Sequence, residues 1–105
     1  MEKEILETLL YCIIFHYIGD YVLQSDFIAR TKGNNWYHLL VHCILYISPF
    51  VLYFGIHECL WIFLFIPHVI IDAGKARWGI VDYFTDQLLH LMCLVAYGVC
   101  VWCYI

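Results

Sequence analysis

The sequence predicts an all-α membrane protein: a bundle of four transmembrane helices with an intramembrane His/Asp site near the cytoplasmic face. Two observations carry this prediction. The chain of 105 residues is 65% hydrophobic and only 13% charged, and its mean hydropathy is +0.81. A soluble domain of this length could not bury so much apolar surface. In addition, each apolar segment carries two histidine or aspartate residues spaced four apart.

Polar stretches set the bounds of the four apolar segments. We expect a single domain over 1–105, with helices over about 5–24, 36–54, 59–73 and 84–105, three of them about 20 residues long, which is enough to cross a bilayer. The stretch 25–35 is too polar to span and predicts a loop with one helical turn at the interface. Pro67 predicts either a simple kink or a local opening of the helix beside His68.

The basic residues predict the orientation of the chain. The first and third connections contain four of them, Arg30, Lys32, Lys75 and Arg77, whereas the N-terminus and the second turn offer only Lys3. Because basic connections favour the cytoplasm, both termini are expected outside it. Nine acidic residues against five basic ones leave no basic stripe for nucleic acid, so nucleic acid is not an expected partner.

The polar pairs are the feature that points to chemistry. Residues four apart on a helix share one face. With this orientation, seven side chains from the four helices fall at one depth near the cytoplasmic ends: His16, Asp20, His42, His68, Asp72, Asp86 and His90. His38 lies closer to the interface, where it would contact headgroups or orient a ligand. Gln24 and Gln87 would either orient ligands or bridge helices.

Histidine and carboxylate side chains on facing helices are typical of dinuclear metal sites in four-helix bundles. This set of ligands suits two divalent ions, with zinc, manganese or iron as the candidates. Without metal, each intramembrane carboxylate would cost about 2.5–3.5 kcal/mol, and Lys75 and Arg77 would offset only one of the three. The alternative is that the pairs are interhelical hydrogen bonds that lock the bundle.

The polar pairs and their neighbouring residues resemble the pattern of a known family. The matching positions are His16-Tyr-Ile-Gly-Asp20-Tyr-Val-Leu-Gln24-Ser-Asp26, Ala29, Lys32, His42 with Tyr46, His68-Val-Ile-Ile-Asp72 with Lys75, and Asp86-Gln87-Leu-Leu-His90. They resemble the small bacterial and phage integral membrane proteins of the domain of unknown function 3307 family. More distantly, the chain is similar to membrane-bound metal-dependent hydrolases, although it lacks their adjacent pair of histidines. The resemblance implies a multi-pass protein of the bacterial inner membrane.

The leading functional expectation is a metal-dependent hydrolase acting on a lipid or lipid-linked phosphoester or amide. Two cations would lower the pKa of a bound water and stabilise the developing oxyanion. Asp20 or Asp86 would be the general base if it is not itself a ligand. Lys75 would receive a phosphate headgroup, or would serve only as a basic residue that sets the topology.

Three alternatives use the same residues. A divalent cation or proton transporter would need polar side chains in both halves of the membrane, whereas 9–15 and 93–105 are nearly devoid of them. A b-type haem between His42 and His90 would be lined by carboxylates, which suit an apolar macrocycle poorly. A structural or accessory small membrane protein of phage origin would use the pairs only to hold its helices together.

The cysteines bear on redox or metal chemistry, and the aromatic residues bear on oligomerisation. Six cysteines fall in or beside apolar helices, where we interpret them as small hydrophobic residues. The motif Cys100-Val-Trp-Cys103 has the spacing of a redox or metal site, but a single such motif is weak evidence. The 19% aromatic content is compatible with a homo-oligomer.

Overall fold

A computed structural model describes residues 2–104 of the chain and the side chains of 2–103. Between these limits the chain is helical, with short connections and no strand, so the all-α prediction is confirmed. Four helices are long and apolar enough to cross a membrane. We refer to them as long helices 1 to 4; they comprise Glu2–Val22, Trp36–Phe54, Glu58–Ala76 and Tyr83–Tyr104. A short connecting helix, Asp26–Thr31, follows long helix 1.

The bundle is elongated, with extents of 44 × 25 × 22 Å. Its long dimension matches a bilayer of about 40–45 Å including the headgroups. Long helix 1 packs against long helices 4 and 2, and long helix 3 packs against the same two helices. This arrangement brings all four helices around one interior, as the sequence predicted for a four-helix bundle.

The largest differences between the predicted and observed helix bounds are in long helices 1 and 3. Long helix 1 begins at Glu2 rather than near Ile5 and ends at Val22. Long helix 3 continues to Ala76 instead of ending at Ala73, because Gly74 is buried against Val81 and does not act as a helix stop. The predicted turn in the first connection is the connecting helix. The last residue of the predicted fourth helix, 105, lies outside the described residues.

Two turns of π-helix interrupt the long helices. Long helix 1 is α-helical over Glu2–Tyr17 and π-helical over Ile18–Val22. Long helix 3 is α-helical over Glu58–Leu60, π-helical over Trp61–Phe65, and α-helical again over Ile66–Ala76. The second π turn ends two residues before Pro67, which lacks a backbone donor. The hydrogen-bond pattern therefore changes locally beside His68, and such turns are frequent at functional sites.

Long helix 2 accommodates its proline differently. Pro49 lies inside the helix and cannot donate a hydrogen bond to the carbonyl of Leu45. The Ser48 hydroxyl donates to that carbonyl instead, with 2.7 Å between the two oxygen atoms. The freed acceptor is thus satisfied within the helix, as an apolar environment demands.

The end of the bundle opposite the polar residues has an apolar core and a disulfide bond. Phe50, Leu60, Leu94 and Tyr97 are among the side chains buried there. Cys59 and Cys100 form a disulfide across long helices 3 and 4. The interpretation of all cysteines as small hydrophobic residues was therefore wrong for these two, since sequence spacing does not reveal which cysteines the bundle brings together. Cys12 and Cys43 are free and buried, as expected.

Loss of this disulfide should destabilise the bundle. A Cys59→Ser/Cys100→Ser variant is expected to lose about 2–4 kcal/mol of unfolding free energy, because the cross-link restricts the unfolded chain. Chemical unfolding in detergent measures the difference. Cys103→Ser is the matched control, because that cysteine is free and exposed. Equal stability of the double variant and the control would contradict the prediction.

Candidate metal centre

The seven side chains predicted as metal ligands all lie in the interior of the bundle. The most exposed of them, Asp20, retains only 7% of its accessible surface, and His16 and His42 retain none. Each of the four long helices contributes at least one of these residues. The structure therefore places histidine and carboxylate side chains together where water is scarce, which is costly unless they compensate one another.

Three of these residues form a compact set of donor atoms. Asp20 Oδ1 lies 3.2 Å from His42 Nε2 and 3.8 Å from His68 Nε2. The two Nε2 atoms are 3.1 Å apart. Donors at about 2.0–2.1 Å from a tetrahedral ion lie about 3.3 Å from one another. The spacing of this triad, Asp20, His42 and His68, therefore fits one divalent ion.

Asp72 extends the triad and joins it to a lysine. Its Oδ2 atom lies 3.2 Å from His42 Nε2 and 2.9 Å from Lys32 Nζ. Lys32 comes from the connection after the short helix, yet it is only 8% exposed. It also donates to Gln24 Oε1 at 2.8 Å. The connection thus reaches into the polar interior through Lys32.

The remaining predicted ligands form a second group beside the triad. Asp86 Oδ1 lies 3.2 Å from His90 Nε2, and Asp86 Oδ2 accepts from Gln87 at 3.0 Å. His16 bonds through Nδ1 to the Tyr46 hydroxyl at 2.8 Å and through Nε2 to the Gln87 amide oxygen at 3.4 Å. Both nitrogens of His16 therefore face neutral polar groups, while Asp86 and His90 face each other.

The two groups form one continuous cluster of aromatic rings. The centroid of the His68 ring lies 4.4 Å from that of His90 and 5.1 Å from that of His42. Tyr46 stacks on the His68 ring with a centroid distance of 3.8 Å. A haem between His42 and His90 would have to displace the His68 ring, which packs against both. The structure thus disfavours the haem alternative.

The residues next to Asp20 explain how its side chain reaches long helix 2. Gly19, the residue before it, lies so close to long helix 2 that a Cβ atom would be 2.5 Å from the Tyr46 carbonyl oxygen. The π turn lies at the same place and adds a residue to that turn. His16 and Asp20 therefore do not act as one pair: His16 contacts Tyr46, whereas Asp20 contacts His42.

The other residues considered in the sequence analysis lie around the cluster. His38 is half-buried and bonds to the Thr31 hydroxyl at 2.6 Å, outside the cluster. Lys75 Nζ is 3.7 Å from Asp86 Oδ2, and its side chain is one-third exposed. Arg77, which was expected to offset an aspartate, instead lies over the Trp36 ring at 4.2 Å. Lys32 and Lys75 are therefore the cations that neutralise two of the three aspartates.

Sequence reasoning missed two residues of this cluster. Lys32 was counted among the basic residues that set the orientation and noted as a position of the family resemblance, but it was not assigned to the site, because a lysine in a polar stretch normally lies in solvent. Tyr46 was noted only as a position of the family resemblance. Its spacing of four from His42 places the two on one face of long helix 2, and this signal could have identified it.

Polar side chains also cap the helices at this end of the bundle. Asn35 accepts from the backbone amide of Tyr37 at 2.9 Å, and Asp82 accepts from the backbone amide of Thr85 at 2.7 Å. The bond from Thr85 holds the pKa of Asp82 below its usual range. These caps fix the starts of long helices 2 and 4, from which His42, Asp86 and His90 project.

Fold and site together define a class of protein: a bundle of four helices apolar enough to span a membrane, with a buried cluster of histidine and aspartate at one end. The model of the family described as protein of unknown function DUF3307 matches residues 8–104. The chain belongs to this family. The matched region contains all seven buried histidine and aspartate residues. No curated protein and no solved structure matches the chain.

Proposed function

We propose that this chain is a membrane-embedded, metal-dependent hydrolase that acts on a lipid or lipid-linked phosphoester or amide. The observation that carries the proposal is the triad of Asp20, His42 and His68, whose donor atoms lie 3.1–3.8 Å from one another in the interior. Imidazole and carboxylate donors at this spacing suit zinc, manganese or iron.

The balance of charge supports an ion at the triad. Lys32 pairs with Asp72 and Lys75 with Asp86. Asp20 has only histidine partners among the side chains that the structure describes. A buried carboxylate without a compensating cation is costly. A divalent ion bound by Asp20, His42 and His68 would supply the missing positive charge where it is needed.

Hydrolysis would use the second group of residues. A divalent ion at the triad would lower the pKa of a bound water to about 7. Asp86, which lies beside His90 and outside the triad, is the candidate general base, and Asp20 is instead a ligand. The two-ion prediction from the sequence stays a prediction; a second ion would take Asp86 and His90 as ligands, and Asp86 would then not be the general base.

The location and orientation of the chain form part of the proposal. Four basic residues lie in the first connection or around the C-terminal end of long helix 3, at the end of the bundle that carries the cluster: Arg30, Lys32, Lys75 and Arg77. This charge favours the cytoplasm for this end. The disulfide between Cys59 and Cys100 lies in the opposite half of the bundle, and disulfides persist in oxidising compartments such as the bacterial periplasm. Both features support a bacterial inner-membrane protein with its termini outside the cytoplasm.

Transport is less well supported than hydrolysis. A conduction path would have to pass the half of the bundle opposite the cluster, where Phe50, Leu60, Leu94 and Tyr97 are almost fully buried against one another. A packed apolar interior of this kind offers no polar route for a cation. The polar residues therefore fit a site that opens towards one face only.

The experiment that tests the proposal separates metal binding from catalysis. Purified protein in detergent is incubated with short-chain lipid phosphoesters and lipid amides, and the release of phosphate or amine is measured with and without a chelator. Asp86→Asn should retain metal at the triad and lower the rate by about 10²–10⁴-fold. Asp26→Asn, on the exposed connecting helix, is the matched control. Full activity of Asp86→Asn, or activity that survives chelation, would contradict the mechanism.

A further inference from the structure

A cavity of about 340 Å³ lies at the end of the bundle that carries the metal centre. Its walls are the first connection and the C-terminal end of long helix 3; the lining residues are Gln24, Ala29, Arg30, Lys32, Gly33, Asn34, Lys75 and Ala76. Three of these side chains are cationic, and the described residues contribute no carboxylate to the lining. The cavity is therefore suited to an anion.

The two walls are held together at one point of close packing. A Cβ atom on Gly33 would lie 2.4 Å from the carbonyl oxygen of Ala76. Only glycine permits this contact without displacing the backbone. Because Gly33 lies between Lys32 and Asn34, the contact fixes the connection against long helix 3. The cationic side chains on the two walls consequently face one cavity with a defined width.

Lys32 connects the cavity with the metal centre. Its ammonium group forms an ion pair with Asp72 Oδ2 at 2.9 Å and donates a hydrogen bond to Gln24 Oε1 at 2.8 Å, so these contacts engage at most two of its three hydrogens. One hydrogen remains for a ligand in the cavity. Asp72 in turn contacts His42 of the triad at 3.2 Å. A group bound at Lys32 would therefore lie beside the metal centre.

The cavity also lies near residues typical of the headgroup region. Trp36 and Trp78 pack together with a centroid distance of 6.2 Å, and both are about half exposed. They follow closely after Asn34 and Ala76, which line the cavity. Tryptophan concentrates at the level of lipid headgroups. A phosphoester headgroup could therefore reach the cavity while its acyl chains stay in the membrane.

We propose that this cavity binds a phosphate group, held by Arg30, Lys32 and Lys75 and supplied either by a lipid phosphoester or by free phosphate. The proposal names the substrate class of the metal centre and in that respect rests on the proposed function. Arginine offers a planar pair of donors to phosphate, and the two lysines act as point charges. A lipid amide without phosphate would bring no anion to these three cations, of which Lys32 and Lys75 are already paired with aspartates and Arg30 is not, within the part of the chain that the structure describes.

The test is calorimetric titration of the chelator-treated protein in neutral detergent, so that phosphate cannot bind through metal. The probes are dioctanoyl phosphatidate, inorganic phosphate and dioctanoylglycerol, which has the same chains without the phosphate. An Arg30→Gln/Lys75→Gln variant should bind phosphatidate about tenfold more weakly or worse. Lys3→Gln is the matched control, because Lys3 is exposed on long helix 1 and does not line the cavity.

The outcomes distinguish a lipid phosphoester from free phosphate as the ligand, and they test the phosphate cavity separately from the proposed hydrolase function. Binding of phosphatidate alone assigns the cavity to a lipid phosphoester, and binding of inorganic phosphate as well assigns it to the phosphate group itself. Equal binding of dioctanoylglycerol, no binding of either phosphate probe, or unchanged affinity in the double variant would overturn the inference. Metal content is measured on the purified protein before chelation. A protein that contains no metal before chelation and takes up none on titration, yet binds phosphatidate through Arg30 and Lys75, would contradict the proposed function but not the cavity assignment.

Discussion

Replacement of His42 by glutamine is expected to lower the affinity of the protein for zinc or manganese by at least about 100-fold. His42 Nε2 is the donor atom that contacts the other members of the site, at 3.2 Å from Asp20 Oδ1 and from Asp72 Oδ2 and at 3.1 Å from His68 Nε2. Its removal leaves only two donors of the triad. Competition with a chromophoric chelator measures the change in affinity.

The control for this prediction comes from the same helix. His38→Gln changes a histidine one turn earlier, which bonds to the Thr31 hydroxyl and not to the cluster. We expect the affinity for metal to stay within about twofold of the wild type, a difference far below the effect of losing a ligand. Circular dichroism and an intact disulfide show that both variants are folded. Equal affinity of the His42 variant and the control would rule out the triad as the binding site.

Replacement of Gly19 by alanine is the second change with a large expected effect. The added Cβ would lie 2.5 Å from the carbonyl oxygen and 2.8 Å from the Cα atom of Tyr46, so the backbones of long helices 1 and 2 must separate. Overpacking of this kind costs about 1–3 kcal/mol. Because Asp20 is the next residue, the separation should also weaken its contact with His42 and reduce the affinity for metal.

Gly98→Ala is the matched control for this variant. Its Cβ would meet the end of the Leu9 side chain at 2.7 Å, and a flexible side chain can move where a backbone cannot. Alanine also favours the helix over glycine by about 1 kcal/mol, so stability should be unchanged or higher. Unfolding in detergent and metal titration are measured for both variants. A Gly19→Ala protein with wild-type stability and affinity would show that the close approach of the helices does not position Asp20.

Much of the fold followed from the distribution of apolar residues, and several features did not. Long apolar segments separated by polar connections predicted the four helices, since the length of such a segment is written directly in the sequence. The π turns at Ile18–Val22 and Trp61–Phe65 were missed, because segments that are apolar on nearly every side show no clear periodicity in which a shift of one residue could be detected. The disulfide was missed because Cys59 and Cys100 are brought together only by packing.

The sequence predicted which histidine and aspartate residues belong to the candidate site, but it did not predict which of them contact one another. Spacings of four placed histidine and aspartate on inward faces, and the structure buries all seven. The same spacings predicted pairs within each helix, yet only Asp86 and His90 contact each other as such a pair. Asp20, His42 and His68 meet across three helices instead. Lys32 was missed because its burial depends on the fold of the connection over the end of the bundle.

The most direct test of the metal centre is elemental analysis of the wild-type protein, purified from membranes with a tag that binds no metal. We expect at least one zinc, manganese or iron ion per chain, held by the donors of Asp20, His42 and His68. A folded protein with an intact Cys59–Cys100 disulfide that contains none of these ions, and takes up none on titration, would contradict it.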